Sequence, residues 1–341
     1  MSSTTIQEGQ HPPKAGFDIG KLIGGGTTSP LAIGIIVVVA IALVIGAVIT
    51  PNFLTVFNIK VILRLAAFVG IFAIGLTFVT ISGNFFLLSL EETAGLAAVA
   101  FATMIGAGWD LFSALLGTLA IAGITGLIQG VIVGMGGNPI IVTLGAAGII
   151  FGAASWYSDN SVILMTRPHP AEWIGTGQVL TVPNVTWAFI LLAIIGEVVL
   201  RYTSFGRSTY LVGASKDTAH ATGYNTFVKA LQVFALASAA AAVVGILFAA
   251  QISQGQASLF SANFGSSGSL TISAIAAVMV GGTAIFGGRG SVVRTMLGAI
   301  FIALADNMMV LNGFESGPRI LFTGFIVVFS VSIYAILERG S

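Results

Sequence analysis

Nineteen consecutive residues, Leu31 to Ile49, carry no polar side chain. At 1.5 Å per residue a helix of that length rises about 28 Å, close to the roughly 30 Å hydrocarbon core of a bilayer. The run outlasts the ~7–15-residue apolar core of a secretory leader, so it reads as a spanning helix. The rest of the chain has the same character. Only 7% of its residues are charged, against roughly 25% in an ordinary soluble domain. So few charges cannot cover the surface of a soluble fold of 341 residues, nor keep a disordered chain solvated. An integral membrane protein is what the numbers leave.

Further apolar segments fall at 61–82, 93–108, 111–134, 138–155, 184–201, 226–250, 271–285, 292–311 and 319–337. With 31–49 they predict an all-α polytopic protein of about ten transmembrane helices. None alternates with the two-residue period of a β-barrel strand. Residues 1–30 are rich in Gly, Ser, Thr and Pro and read as a disordered tail; 31–341 form one transmembrane domain. Placing the N-terminus in the cytoplasm puts Lys14, Lys21, Arg201, Arg207, Lys216, Lys229, Arg289, Arg294 and Arg339 inside. Lys60, Arg64, Arg167 and Arg319 then lie outside, and this excess of basic residues within predicts both termini in the cytoplasm. On that topology 156–183, with Trp156, Tyr157 and Trp173, is external and 202–225 internal. Ten helices divide into two halves of five, and an odd-numbered repeat must be inverted in the membrane relative to its partner. The third helix of each half, 93–108 and 271–285, is short. Each follows a polar approach, Ser82-Gly83-Asn84 in one half and Ser261 to Ser269 in the other, which points to a central pathway.

Residues able to do covalent chemistry are scarce. There is no cysteine, and His11, His169 and His220 lie in separate polar segments without a carboxylate at ligand spacing, so no metal site is expected. Gly282 to Gly290 reads GTAIFGGRG, which lacks the Lys and following Ser or Thr of a phosphate-binding loop. If ATP is used, another chain must bind it, and no cofactor is expected here. A net charge of +1 makes no case for nucleic acid. Two carboxylates fall within apolar segments. Glu197 precedes Arg201 by four residues, the order that favours a pair. Asp306 and Asn307 sit deeper and are read as lining a path, with interhelical hydrogen bonding as the alternative. Gly126, Gly130 and Gly134 recur every four residues, a packing stripe for a close neighbour.

The internal segment 203–225 reads TSFGRSTYLVGASKDTAHATGYN. Ser215 suits an N-cap and Gly223 the position after a helix C-terminus, which predicts about two turns of helix over 216–222. A capped helix outside the bilayer suits docking of a soluble partner better than lying on membrane lipid, given its balanced charge and few large apolar residues. Gly213 and Ala214 are small enough to let a partner's backbone approach.

At this segment the sequence resembles the permease subunits of bacterial sugar-importing ABC transporters, the ribose/xylose/arabinose-type family. The likeness rests on Phe205-Gly206-Arg207, Gly213-Ala214 and Gly223-Tyr224-Asn225, and more strongly on Ala274 to Arg289, AIAAVMVGGTAIFGGR, followed by Leu297-Gly298-Ala299 and Asn307. It covers most of 55–337. It implies a homodimeric or heterodimeric pore in the inner membrane, a periplasmic solute-binding protein, and two ATPase subunits that hold ATP and Mg2+. Those subunits would dock on 203–225, with Phe205, Gly206, Arg207, Gly213, Ala214, Ser215, Gly223 and Asn225 as the coupling residues. The solute implied is a monosaccharide or related polyol. One departure falls in the pathway: the family commonly reads Gly-Gly-Ile-Asp-Leu-Ser where this chain has Gly83-Asn84-Phe85-Phe86-Leu87-Leu88-Ser89, so Phe86 stands in place of the acid. Asn84, Phe85, Phe86, Asp306 and Asn307 are the expected path residues. An ion-coupled secondary transporter is the rival reading, since it shares inverted repeats.

Overall fold

The computed structural model describes residues 30–165, 169, 171–259 and 269–339. The tail before Pro30, Arg167 and all of the Ser261–Ser269 approach except Ser269 lie outside the described residues. The chain is mostly helical. Its elements are α1 (Pro30–Ile49), α2 (Val56–Ile81), α3 (Leu90–Gly106), α4 (Leu111–Gly134), α5 (Pro139–Tyr157), β1 (Ile163–Leu164), α6 (Glu172–Thr176), β2 (Gln178–Val179), β3 (Val182–Pro183), α7 (Asn184–Tyr202), α8 (Ser204–Ala214), α9 (Lys216–Ala221), α10 (Thr226–Ile252), β4 (Gln254–Gly255), α11 (Leu270–Val280), α12 (Val292–Leu311) and α13 (Ser316–Arg339). Among the described residues six helices are long and apolar enough to cross a membrane: α2, α4, α5, α7, α10 and α12.

Helix starts follow local capping chemistry. Thr55, Asp110, Asn138 and Asn225 accept first-turn amides of α2, α4, α5 and α10 through their side chains. Two sequence boundaries move for a physical reason. Helix α2 begins at Val56, not 61, because Lys60 and Arg64 sit inside its first turns, where long cationic stems are tolerated near a membrane end. Helix α3 begins at Leu90, not 93, so Glu91 and Glu92 belong to its first turn, where the helix dipole favours them. Helix α11 is only 11 residues and ends at Val280, not 285.

Helices α2 and α10 form the centre, with 78% and 72% of their apolar stretches buried, and pack against each other. Gly75 makes that contact close: a methyl group there would lie 3.0 Å from the Cα of Ala237. Helix α10 also carries α3 and α4, while α2 carries α11 and α12. The α4–α10 seam is the glycine stripe. A methyl on Gly126 would lie 2.6 Å from the Phe234 carbonyl oxygen, one on Gly130 2.7 Å from the Leu231 Cα, and one on Gly134 2.7 Å from the Phe227 ring. The segment 158–183 folds as the short α6, the β2–β3 pair and β1, which pairs antiparallel with β4. Trp173 stands exposed on it, and Trp156 at the end of α5 beside it. Gly130→Leu is expected to force the α4 and α10 backbones apart, at a cost of at least ~1–3 kcal/mol. It should lower the melting temperature and monodisperse yield in detergent, while Gly145→Leu, on an open helix face, should not.

Candidate functional site

The expected coupling segment is an elbow of two helices. Sequence reasoning read 203–215 as loop; the structure makes Ser204–Ala214 the helix α8, begun by Thr203, whose hydroxyl accepts the Gly206 amide. Apolar and polar residues mix over α8 because one face is buried against the bundle, with Ser208, Thr209, Tyr210 and Val212 inside. Ser215 then turns the chain and caps α9 by accepting the Thr218 amide at 3.2 Å. At the other end Gly223, at φ +84°, donates to the His220 carbonyl and Tyr224 to the Ala219 carbonyl, the paired bonds of a left-handed glycine cap. Asn225 caps α10 through its side chain. Arg207, Ala214, Gly223 and Asn225 are exposed, together with Lys216, Asp217 and His220.

Two of the expected docking residues face inward. A methyl on Gly206 would lie 2.0 Å from the Leu200 carbonyl oxygen, and one on Gly213 only 1.8 Å from that of Ile81. The backbone that Gly213 admits in this structure is this chain's own. Gly213 meets the end of α2 and the loop 281–290 in a three-way junction. There the Gly288 amide donates to the Ile81 carbonyl at 2.9 Å, and a methyl on Gly287 would lie 2.7 Å from the Gly83 nitrogen. Tyr210 adds a bond from its hydroxyl to the Gly290 carbonyl at 2.7 Å. Burial pushes this phenol up from its ordinary range, so it stays protonated and able to donate. Phe205 is half-buried against Phe78 and lies under the Lys229 ammonium, 4.0 Å from the ring centroid. Lys229 is itself 6% exposed and donates to the Phe205 carbonyl at 3.3 Å and to Gln232 at 3.1 Å, tying α8 to α10.

The expected path residues fall in two places. Asn84, Phe85 and Phe86 occupy the extended link between α2 and α3. Asn84 is buried and donates to Ser82 at 2.9 Å, Phe85 takes φ +56° and lies edge-on to Phe286, and Phe86 packs against the core. Asp306 and Asn307 are committed to neighbouring helices. Arg319, 8% exposed on α13, forks onto Asp306 at 2.9 and 2.7 Å. Asn307 exchanges amide bonds with Asn58 of α2 at 2.8 and 2.9 Å. Glu197 pairs with Arg201, as its spacing suggests. It also accepts the Val293 amide at 3.2 Å and the Ser291 hydroxyl, so it caps α12.

Glu91 was not among the expected path residues. Its Oε1 accepts the Leu270 amide at 2.5 Å and its Oε2 the Ser269 hydroxyl at 2.6 Å, so a carboxylate on α3 closes the N-terminus of α11. The signal was two adjacent acids at the edge of an apolar run, hidden by starting that helix at 93. Among the described residues no three His, Cys, Asp or Glu side chains cluster as metal ligands.

Residues 58–331 match the family model described as branched-chain amino acid transport system / permease component. The chain belongs to that family. It is 32% identical over 310 residues to the "Probable ABC transporter permease protein YphD" of Escherichia coli K12, covering 91% of each chain. It is 30% identical over 317 residues to the autoinducer 2 import system permease protein LsrC of Salmonella typhi, covering 91% of this chain and 88% of that one. The ribose import permease protein RbsC of Bacillus subtilis is 28% identical over 293 residues, with 85% and 88% covered. The chain is thus a multi-pass membrane permease subunit of an ABC importer, and ATP hydrolysis lies on separate subunits.

Two variants test the geometry. Asp306→Ala takes the carboxylate away from the buried Arg319 guanidinium, and breaking a buried ion pair costs about 3–5 kcal/mol. Folded yield in detergent should fall, and Arg319→Met in the same chain should restore much of it. Gly213→Trp should lower the melting temperature of the permease purified alone, because its side chain has only backbone to displace.

Proposed function

We propose that this permease forms the translocation path for a monosaccharide or related polyol, driven by two ATPase subunits docked on the α8–α9 elbow and fed by a periplasmic solute-binding protein. The relatives named for ribose and autoinducer 2 import support the solute class. The observation that carries the architecture is a matched set of helix contacts. Counting α1–α5 as one half and α7, α10, α11, α12 and α13 as the other, the second helix of each half packs on the third and fourth of its partner. That is, α2 carries α11 and α12, and α10 carries α3 and α4. The pairs α3–α4 and α11–α12 match, as do α3–α5 and α11–α13. Such crossed pairing supports ten crossings in two inverted halves around the α2–α10 axis.

Both termini are cytoplasmic in this reading, and the elbow with its Arg207 and Lys216 lies on the same side. The path runs past the link 84–86 and the meeting of α3 with α11. Two permease subunits, identical or related, complete the pore. An ion-coupled transporter is less well supported, because Asp306, the carboxylate best placed for an ion, is already neutralised by Arg319.

Orientation is checked with single cysteines, made simple by the cysteine-free chain. Leu180→Cys, 81% exposed, should label with an impermeant thiol reagent in intact cells, and Ala221→Cys only after lysis. Function is checked by uptake of labelled ribose and other monosaccharides into cells co-expressing the ATPase and binding protein. Uptake should stop on ATP depletion and survive collapse of the ion gradients; the reverse pattern sinks the proposal.

A further inference from the structure

The loop between α11 and α12, which sequence reasoning set aside as a failed phosphate loop, has a rigid and purposeful shape. The Gly287 amide donates to the Ala284 carbonyl at 3.1 Å, and the Ala284 amide to the Arg289 carbonyl at 2.9 Å. These two bonds close a tight turn with Ile285 and Phe286 at its tip. Gly287 and Gly288, at φ +93° and +77°, allow the chain to return at once to the body of the protein. There Gly288 is bonded to Ile81 at 2.9 Å, and Gly287 sits against the backbone of Gly83 and Gly213. The turn is therefore locked, backbone to backbone, to the same junction that anchors α8.

Phe286 is 70% exposed at the tip of this turn. Single exposed apolar side chains are common on proteins. This one differs in being held in place. Phe85 backs it from a strained left-handed backbone at φ +56°, with ring centroids 6.0 Å apart. Strained, closely supported aromatic side chains suit a fixed contact, since little freedom is lost on binding. The surroundings carry positive charge: Arg289 on the turn, with Arg207 and Lys216 on the elbow, are exposed, against Asp217. The turn and the elbow share one backbone junction.

We propose that the 284–289 turn is a second docking point for the ATPase subunit, with Phe286 entering an apolar pocket whose rim is acidic. The proposal rests on the elbow reading above and extends it: one partner grips the permease at two rigidly spaced points, α9 and Phe286. A single short helix would let the partner pivot, whereas two fixed points transmit rotation as well as displacement.

The test is copurification of the ATPase with the full-length permease in mild detergent, alongside the melting temperature of the permease alone. Phe286→Ala should cut ATPase recovery about tenfold and Phe286→Asp more, with the melting temperature unchanged because the side chain is exposed. Lys216→Glu on α9 serves as the reference for the elbow. Reduced recovery in Lys216→Glu with normal recovery in Phe286→Asp would overturn the second docking point and leave the elbow reading intact. Normal recovery in both would remove the elbow reading as well. Normal recovery with solute leakage from proteoliposomes would make the turn a gate, and loss of the permease dimer at unchanged ATPase per permease would make it a contact between copies; either result overturns the proposal.

Discussion

The close approach of α2 and α10 is the constraint from which the rest of the bundle follows. In a bilayer the lipid tails are as apolar as leucine, so helices gain little from hiding apolar side chains from one another. They associate where backbones come near enough for many weak contacts and where polar side chains find partners. Gly75 facing Ala237 and Ala240 provides such an approach at the centre, and Gly126, Gly130 and Gly134 provide it along α10. With both central helices buried, each carries two more: α2 packs on α11 and α12, and α10 on α3 and α4.

Polar side chains complete this framework at a few places, each joining two different helices. Asn58 with Asn307 and Asp306 with Arg319 fix α12 between α2 and α13. Glu197 holds the start of α12 to α7, and Glu91 holds the start of α11 to α3. Two of the four thus use a carboxylate on one helix to satisfy the free first-turn amides of another. This solves two problems together, since an ionised group in an apolar interior and an uncapped helix start are each costly alone.

Much of this was legible in the sequence. Apolar run lengths located the long helices within a few residues, because bilayer thickness sets them. The glycine stripe and the Glu197–Arg201 pair were legible because both act at helical spacing within one segment. The α9 helix was legible through Ser215 and Gly223, whose capping chemistry is local. What escaped depends on contacts far apart in sequence. Helix α8 has no clean apolar period, since its buried face includes Ser208 and Thr209. The packing of Gly213 escaped because nothing local reveals Ile81 and Gly288 beside it. Glu91 meets Ser269 across about half of the chain, and Asp306 finds its partner Arg319 on the next helix rather than on its own.

The shortness of α11 has an electrical consequence. Its 11 residues rise about 16 Å, roughly half of a ~30 Å hydrocarbon core. Its C-terminal end runs into the loop locked to the elbow junction, so on the orientation proposed above its N-terminus, with Glu91 and Ser269, lies near mid-depth. Water reaching that depth from one side would carry the bulk potential inward with it. The transmembrane voltage would then fall over about half the usual thickness, roughly doubling the field along α11. A neutral sugar is indifferent to this field. An ion following the same route would gain or lose about 2.3 kcal/mol per 100 mV over that short stretch. The total electrical work on an ion is the same whatever the geometry; a short α11 would only concentrate it over that stretch.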